Sequence, residues 1–136
     1  MIAVVDANVL ISALLGSRRT IMLLTKSDML FYAPKFILAE IRKYKTTIST
    51  KAKITAAEFD AALEAVLKFV TLMGELEYKE HLPRARKALH ARDVNDAPYL
   101  ACALLVDAEI IWTNDKDFSA QTIIKTRTTQ QLRESK

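Results

Sequence analysis

The sequence of 136 residues is poor in glycine and cysteine, and each scarcity excludes a class of site. Its two glycines, Gly16 and Gly74, stand far apart, so the chain lacks the clustered glycines of P-loops and dinucleotide-binding loops. Its single cysteine, Cys102, excludes an internal disulfide and a multi-cysteine zinc site, which is typical of proteins in a reducing cytosol. Because of this cysteine content, we expect a cytoplasmic protein. No serine stands in a nucleophile-elbow motif.

Long hydrophobic runs are also absent. The apolar stretch from Ile2 to Leu15 is interrupted by Asp6 and Asn8 and follows no basic region, so it is neither a signal peptide nor a membrane span of about 20 residues. We expect no membrane partner. The composition, 51% hydrophobic and 26% charged, predicts one globular domain over residues 1–136. Its 20 basic residues against 16 acidic residues favour a polyanionic partner.

Short apolar runs alternate with segments of helical periodicity along the chain. Ile2 to Val5 indicates a buried strand, and further strands are predicted at 30–33, near 72–78, at 109–113 and near 122–125. Helices are predicted after Asn8 as N-cap and at 20–25, 35–45, 55–70, 81–91, 95–106 and from 128. Pro34 is placed at the start of the third helix, and a polar, basic loop is expected at 46–53. The alternation predicts an α/β fold with a parallel sheet and a site beyond the carboxyl ends of its strands.

Four acids stand in apolar surroundings that imply partial burial: Asp6, Glu40, Asp96 and Asp115. Asp6 ends the first predicted strand. Glu40 falls within the apolar arc of its helix, where a carboxylate without a partner is costly. Two of these acids have simpler interpretations, because Asp96 could be a helix cap and Asp115 a turn residue.

Electrostatic repulsion indicates what the four acids would need if the fold brings them together. Two carboxylates ~5 Å apart repel by ~3 kcal/mol at an effective dielectric near 20. Six such pairs approach ~20 kcal/mol, which exceeds the ~5–15 kcal/mol net stability of a typical domain. Such a cluster requires protons or cations, and an all-oxygen donor set fits Mg²⁺ or Mn²⁺. Metal-dependent chemistry on a phosphodiester is therefore the leading hypothesis.

Four segments in this order resemble the PIN-domain family: VVDANVL at 4–10, AEI at 39–41, DAPYLACA at 96–103 and WTNDKDF at 112–118. The similarity covers essentially the whole chain. It implies a three-layer α/β/α sandwich with a central parallel sheet flanked by helices. It also implies a Mg²⁺- or Mn²⁺-dependent endoribonuclease, since many short members of the family are ribonuclease toxins of type II toxin–antitoxin pairs.

Position by position, the resemblance implies that the four acids bind one or two Mg²⁺ or Mn²⁺ ions and leave products with a 5′-phosphate and a 3′-hydroxyl. Around them it implies supporting roles for four further residues: Asn8, Thr113, Asp117 and Asp93. It also implies an antitoxin partner and a homodimer.

Contact with RNA phosphates calls for positive charge near the four acids. The candidates are Arg84, Arg86, Lys87, Arg92 and Lys116, although the first three could equally form a solvated helix face. Base stacking is not supported, because the tyrosines are predicted in core or half-core positions: Tyr32, Tyr44, Tyr78 and Tyr99. Cys102 is predicted to be a buried core residue.

Three alternatives stay open at this stage. A non-catalytic module of the same fold would bind RNA or act as a scaffold without turnover. A structure-specific nuclease would act on DNA, although the small size of the chain favours RNA. A hydrolase that uses Asp6 as nucleophile needs a second aspartate two residues on, where this chain has Asn8.

Overall fold

The computed structural model describes residues 1–89, 95–115, 121 and 123–134. Within these residues, five parallel strands form one sheet in the order β3-β2-β1-β4-β5. The strands are β1 (Ile2–Val5), β2 (Leu30–Pro34), β3 (Val70–Met73), β4 (Ile110–Trp112) and β5 (Lys125–Arg127). The predicted parallel sheet is confirmed. Because β1 lies at its centre, between β2 and β4, the carboxyl ends of β1 and β4 meet at the position where such sheets place their sites.

Helices cover both faces of the sheet and form the three-layer sandwich. They are α1 (Ala7–Leu14), α2 (Arg18–Lys26), α3 (Phe36–Lys43), α4 (Lys45–Ala52), α5 (Ala56–Leu67), α6 (Glu75–Tyr78), α7 (Leu82–Ala88), α8 (Ala97–Leu105) and α9 (Thr129–Glu134). Helix α8 packs on β1, β2 and β4 and contacts α6 and α7, whereas α1 packs with α2 and α5. In the described ranges, no single helix is long and apolar enough to cross a membrane; only α1 and α2 taken together, bent by 111°, reach that length and composition.

The core lies between β1, β4 and helix α8. Residues Ala3, Val4 and Val5 of β1 are fully buried, as are Ile111 and Trp112 of β4. This near-continuous burial follows from helices on both faces of a parallel sheet, which leave the central strands no solvated side. Helix α8 is buried along most of its length, and its Cys102 is a buried core residue as predicted.

Three local predictions are wrong for identifiable reasons. Helix α1 begins two residues earlier than predicted, because the Asp6 carboxylate, and not Asn8, caps it by accepting a hydrogen bond from the Ala7 N–H. Pro34 is the last residue of β2, and α3 begins after it, at Phe36. The expected loop at 46–53 is helix α4, which a single buried side chain, Ile48, anchors to the core.

Two further differences concern aromatic and apolar residues. Tyr44 is exposed, because it lies at the junction of α3 and α4. Val70 belongs to β3 and pairs with Phe31 of β2, so α5 ends earlier than predicted. The predicted capping box of Thr55 and Glu58 is confirmed at the start of α5.

Candidate acidic active site

Asp6 lies where β1 ends and α1 begins. Its backbone N–H donates to the Trp112 carbonyl at 3.0 Å, which continues the pairing of β1 with β4 for one residue. Its Oδ1 accepts from the Ala7 N–H at 2.7 Å, and only 7% of the residue is exposed. The residue is therefore held at the carboxyl edge of the sheet through its own backbone N–H and through its carboxylate.

Asn8 and Thr113 hold the second oxygen of the same carboxylate. Asp6 Oδ2 accepts from Asn8 Nδ2 at 2.9 Å and from the Thr113 hydroxyl at 2.8 Å. The Thr113 hydroxyl in turn accepts from the Asp115 N–H at 3.0 Å. Two residues expected to support the acids thus contact Asp6 directly, and Thr113 links it to the backbone of Asp115.

Asn114 joins this group to the last helix. Its N–H donates to Asn8 Oδ1 at 3.2 Å, and its Oδ1 accepts from the Thr129 N–H at the start of α9 at 2.9 Å. The Thr129 hydroxyl accepts from Trp112 Nε1 at 3.0 Å. The sequence interpretation did not single out Asn114 or Thr129. The sequence did carry a signal for Asn114, which is a short polar residue just beyond the end of a buried strand.

Glu40 has the partner that its apolar surroundings demand. The Tyr99 hydroxyl donates to Glu40 Oε1 at 2.5 Å, and Tyr99 itself is fully buried. The edge of its ring packs against Phe36, with the ring planes at 71°. Tyr99 was predicted as a core residue, and its contact with Glu40 was missed. The available signal was its position three residues after Asp96, on the same face of α8.

The pKa values of Asp6 and Tyr99 are both raised by neighbouring acids. The pKa of Asp6 is raised to about 6, chiefly by burial and also by the negative charges of Glu40 and Asp115, against the lowering effect of the hydrogen bonds from Thr113 and Ala7. Burial likewise raises the pKa of Tyr99, as do its hydrogen bond to Glu40 and the charges of Glu40, Asp6 and Asp96. Glu40 and Asp115 therefore lie close enough to influence Asp6, and Asp96 lies close enough to influence Tyr99.

Asp96 and Asp115 differ from the other two acids in exposure. Asp96 is half-buried at the start of α8, and its side chain makes no capping hydrogen bond to that helix. Asp96 thus occupies the N-cap position of α8, but its carboxylate does not cap the helix. Asp115 is exposed and lies three residues after the end of β4.

The donor chemistry of the four acids fits a hard divalent cation. Among the residues that the structure describes, no three His, Cys, Asp or Glu side chains are grouped closely enough to hold a metal ion by themselves. Mg²⁺, however, usually takes one or two carboxylates and keeps several waters. Asp6 and a neighbouring acid would supply such carboxylate ligands, and a cation would offset the negative charges of Glu40 and Asp115, which contribute to the raised pKa of Asp6.

Three of the predicted phosphate contacts lie on helix α7. Arg84, Arg86 and Lys87 are exposed on α7, which packs against α8. Four other predicted site residues lie outside the described residues: Arg92, Asp93, Lys116 and Asp117.

Several solved structures share this fold. They include VapBC2 from Rickettsia felis bound to a DNA fragment from its promoter, with a TM-score of 0.72 and 14% identity over 94% of this chain and 98% of that chain. A toxin–antitoxin complex from Klebsiella pneumoniae has a TM-score of 0.67 and 19% identity over 93% and 97% of the two chains. VapBC-1 from nontypeable Haemophilus influenzae has a TM-score of 0.64 and 18% identity over 96% and 99%.

Sequence comparison gives the family. No curated protein sequence matches this chain. The family model described as PIN domain matches residues 4–136, which include all four acids and every residue that contacts Asp6. The chain belongs to the PIN-domain family.

Proposed function

We propose that this chain is a metal-dependent endoribonuclease and the toxin of a type II toxin–antitoxin pair. The observation that carries the proposal is the buried Asp6 carboxylate, which three donors hold at the carboxyl edge of the sheet beside the charges of Glu40 and Asp115. Membership of the PIN-domain family supports nuclease chemistry at this position. The fold that it shares with a toxin–antitoxin complex supports the role of a toxin.

The four acids would hold one or two ions, Mg²⁺ or Mn²⁺: Asp6, Glu40, Asp96 and Asp115. When bound, such an ion supplies a water of lowered pKa and stabilises the charge that develops on the scissile phosphate. The products would carry a 5′-phosphate and a 3′-hydroxyl.

The chain's own residues supply position and protonation state. Thr113 and Asn8 fix the Asp6 carboxylate through its Oδ2, and Tyr99 fixes Glu40 through its Oε1. Because the pKa of Asp6 is about 6, this carboxylate is mostly ionised at neutral pH and protonated under mildly acidic conditions. The site should therefore lose activity as the pH falls through about 6.

RNA phosphates would be held by the exposed Arg84, Arg86 and Lys87 of α7, together with Arg92 and Lys116. We further propose that the chain forms a homodimer, acts in the cytoplasm and is inhibited by an antitoxin. Light scattering of the purified chain tests the dimer. Growth arrest on expression, relieved by a cognate antitoxin, tests the toxin role.

Cleavage assays test the catalytic proposal. The purified chain should cut labelled single-stranded RNA with Mg²⁺ or Mn²⁺, and EDTA should stop the reaction. Asp6→Asn should lower the rate roughly 100-fold or more, whereas Asp28→Asn, at an exposed acid, should leave it unchanged.

Three other outcomes of these assays would contradict the proposal. Full activity of Asp6→Asn in a preparation free of other nucleases would contradict the assignment of the site. Metal-independent RNA binding without turnover would identify a non-catalytic module, and cleavage of structured DNA in place of RNA would identify a DNA-directed nuclease.

A further inference from the structure

A second basic surface lies on helices α2 and α9, away from α7. It forms a pocket of about 350 Å³, which we name the α2/α9 pocket, and it is lined by Arg18, Arg19, Met22, Leu23, Lys26 and Arg133. Four of these six side chains are cationic, and none is acidic. All four cationic residues are exposed, so the pocket presents their positive charge to solvent.

The cations of the pocket form no ion pair within the described part of the chain, and the one acid beside them is Glu134, which lines an adjoining pocket with Arg19 and Arg133. In that described part the one ion pair joins Lys45 to Asp60, far from the pocket in sequence, and no hydrogen bond involves the side chain of Arg18, Arg19 or Arg133. Exposed arginines without a protein partner keep their planar donors available, and these donors match the oxygens of a phosphate group.

Helix stability does not explain why two arginines begin α2. Arg18 and Arg19 stand in its first turn, where the helix dipole disfavours positive charge, and that turn contains no acidic residue. Ser17 already caps the helix, because its hydroxyl accepts from the Thr20 N–H at 3.4 Å. An external anion at this position would offset the unfavourable placement.

Helix α1 connects the pocket to Asp6. The buried Thr20 of α2 lies with its hydroxyl 3.2 Å from the hydroxyl of Ser12 on α1. Ser12 stands six residues after Asp6, the residue that caps the same helix, and this separation corresponds to about 9 Å along the helix axis. The first turn of α2 therefore lies beside α1, at a point about 9 Å along that helix from Asp6.

Helix α9 connects the other wall of the pocket to the same site. It begins at Thr129, whose N–H is bonded to Asn114, next to Asp115. Arg133 follows Thr129 by four residues, about 6 Å along the helix axis. Because α2 packs against α9, Arg133 faces the arginines of α2 across the pocket.

We infer that the α2/α9 pocket binds the phosphate backbone of the RNA on one side of the cleavage point, an inference that rests on the proposed function. An extended strand whose scissile phosphate lies at the four acids would place a phosphate a few nucleotides away within reach of Arg18, Arg19 and Arg133. The apolar Met22 and Leu23 would contact a ribose or base. An acidic protein segment would also match the positive charge of the pocket. An RNA strand, however, would contact the pocket and the acidic site at the same time.

Binding of a short fluorescein-labelled oligouridine tests the inference. The parent protein is the full chain with Asp6→Asn, which keeps the RNA intact, and the pocket variant adds Arg18→Gln, Arg19→Gln and Arg133→Gln. Anisotropy titrations between about 50 and 200 mM salt give the affinity and its salt dependence. Three lost phosphate contacts should reduce the slope of log affinity against log salt by about 2 and weaken binding at about 100 mM salt by roughly 100-fold.

A charge-matched control separates the pocket from general electrostatics. The control variant adds three substitutions to the parent at exposed lysines on other elements: Lys51→Gln, Lys68→Gln and Lys79→Gln. Equal affinity and slope for the pocket and control variants would overturn the inference. Circular dichroism checks the fold, and if the triple variant does not fold, Arg133→Gln alone should reduce the slope by about 0.7.

Two other results would overturn the inference in different ways. If the pocket variant binds RNA as the parent does but no longer binds a polyglutamate peptide that the parent binds, the pocket serves an acidic protein segment. If the parent does not bind RNA and the wild-type chain does not cleave it, the proposed function fails and the inference fails with it.

Discussion

Replacement of Asp6 by asparagine is expected to remove a pH-dependent part of the stability of the metal-free chain. The pKa of Asp6 rises from 3.8 to about 6 on folding, first because of burial and then because of the charges of Glu40 and Asp115. Between these two values the folded state binds more protons than the unfolded state. The contribution of Asp6 is therefore fully present below pH 3.8 and is lost as the pH rises through about 6.

The magnitude follows from the two pKa values. A shift of about two units corresponds to roughly 3 kcal/mol at the acidic limit. Between about pH 5 and about pH 7.5, the part of this contribution that disappears is about 1.4 kcal/mol. Asparagine has a similar shape but no titrating proton, so the Asp6→Asn protein lacks this component at every pH.

Urea unfolding in EDTA, followed by the fluorescence of the single tryptophan, Trp112, measures the effect. The free energy of unfolding of the wild-type chain minus that of Asp6→Asn should fall by about 1.4 kcal/mol from about pH 5 to about pH 7.5. This difference cancels the titrating groups that do not interact with Asp6. The exposed Asp28→Asn serves as a control and should show no such change. A wild-type-minus-variant difference that stays constant with pH would refute the reasoning about Asp6.

Three further predictions concern Tyr99, Thr113 and the two arginines of α7. Tyr99→Phe removes the hydroxyl that donates to Glu40 and should lower kcat for RNA cleavage with KM unchanged, while unfolding free energy changes by only about 1 kcal/mol; an unchanged kcat would refute a positioning role. Thr113→Ala should lower kcat and Thr113→Ser should restore it, because serine keeps the hydroxyl that donates to Asp6; equal rates for the two variants would show that this hydroxyl is unimportant. The double variant Arg84→Ala/Arg86→Ala should reduce the salt slope of RNA binding by about 1.4, and an unchanged slope would remove α7 from the interface.

The sheet was predictable because its strands leave a clear trace in the sequence. Buried parallel strands have no solvated face, so β1 and β4 appear as short apolar runs that end at a polar residue. Helix α4 was not predictable in this way. It buries only Ile48, and without an apolar stripe its threonines and lysines resemble a loop.

The four acids could be selected because each interrupts an apolar pattern, whereas the residues that hold them could not all be found. Tyr99 contacts Glu40 across 59 residues of sequence, and a tyrosine in an apolar helix looks like any other core residue. The bond between Asn114 and the start of α9 likewise depends on how the last helix packs. Such contacts are set by tertiary structure and leave no local periodicity.

The central claim is that the four acids form one site for a divalent cation. Anomalous diffraction from crystals of the chain soaked in Mn²⁺ tests it most directly. The account predicts a Mn²⁺ peak within bonding distance of Asp6 and at least one of the acids Glu40, Asp96 and Asp115, and no such peak for Asp6→Asn. A wild-type structure with Mn²⁺ bound only elsewhere, or with these carboxylates turned away from Asp6, would contradict it.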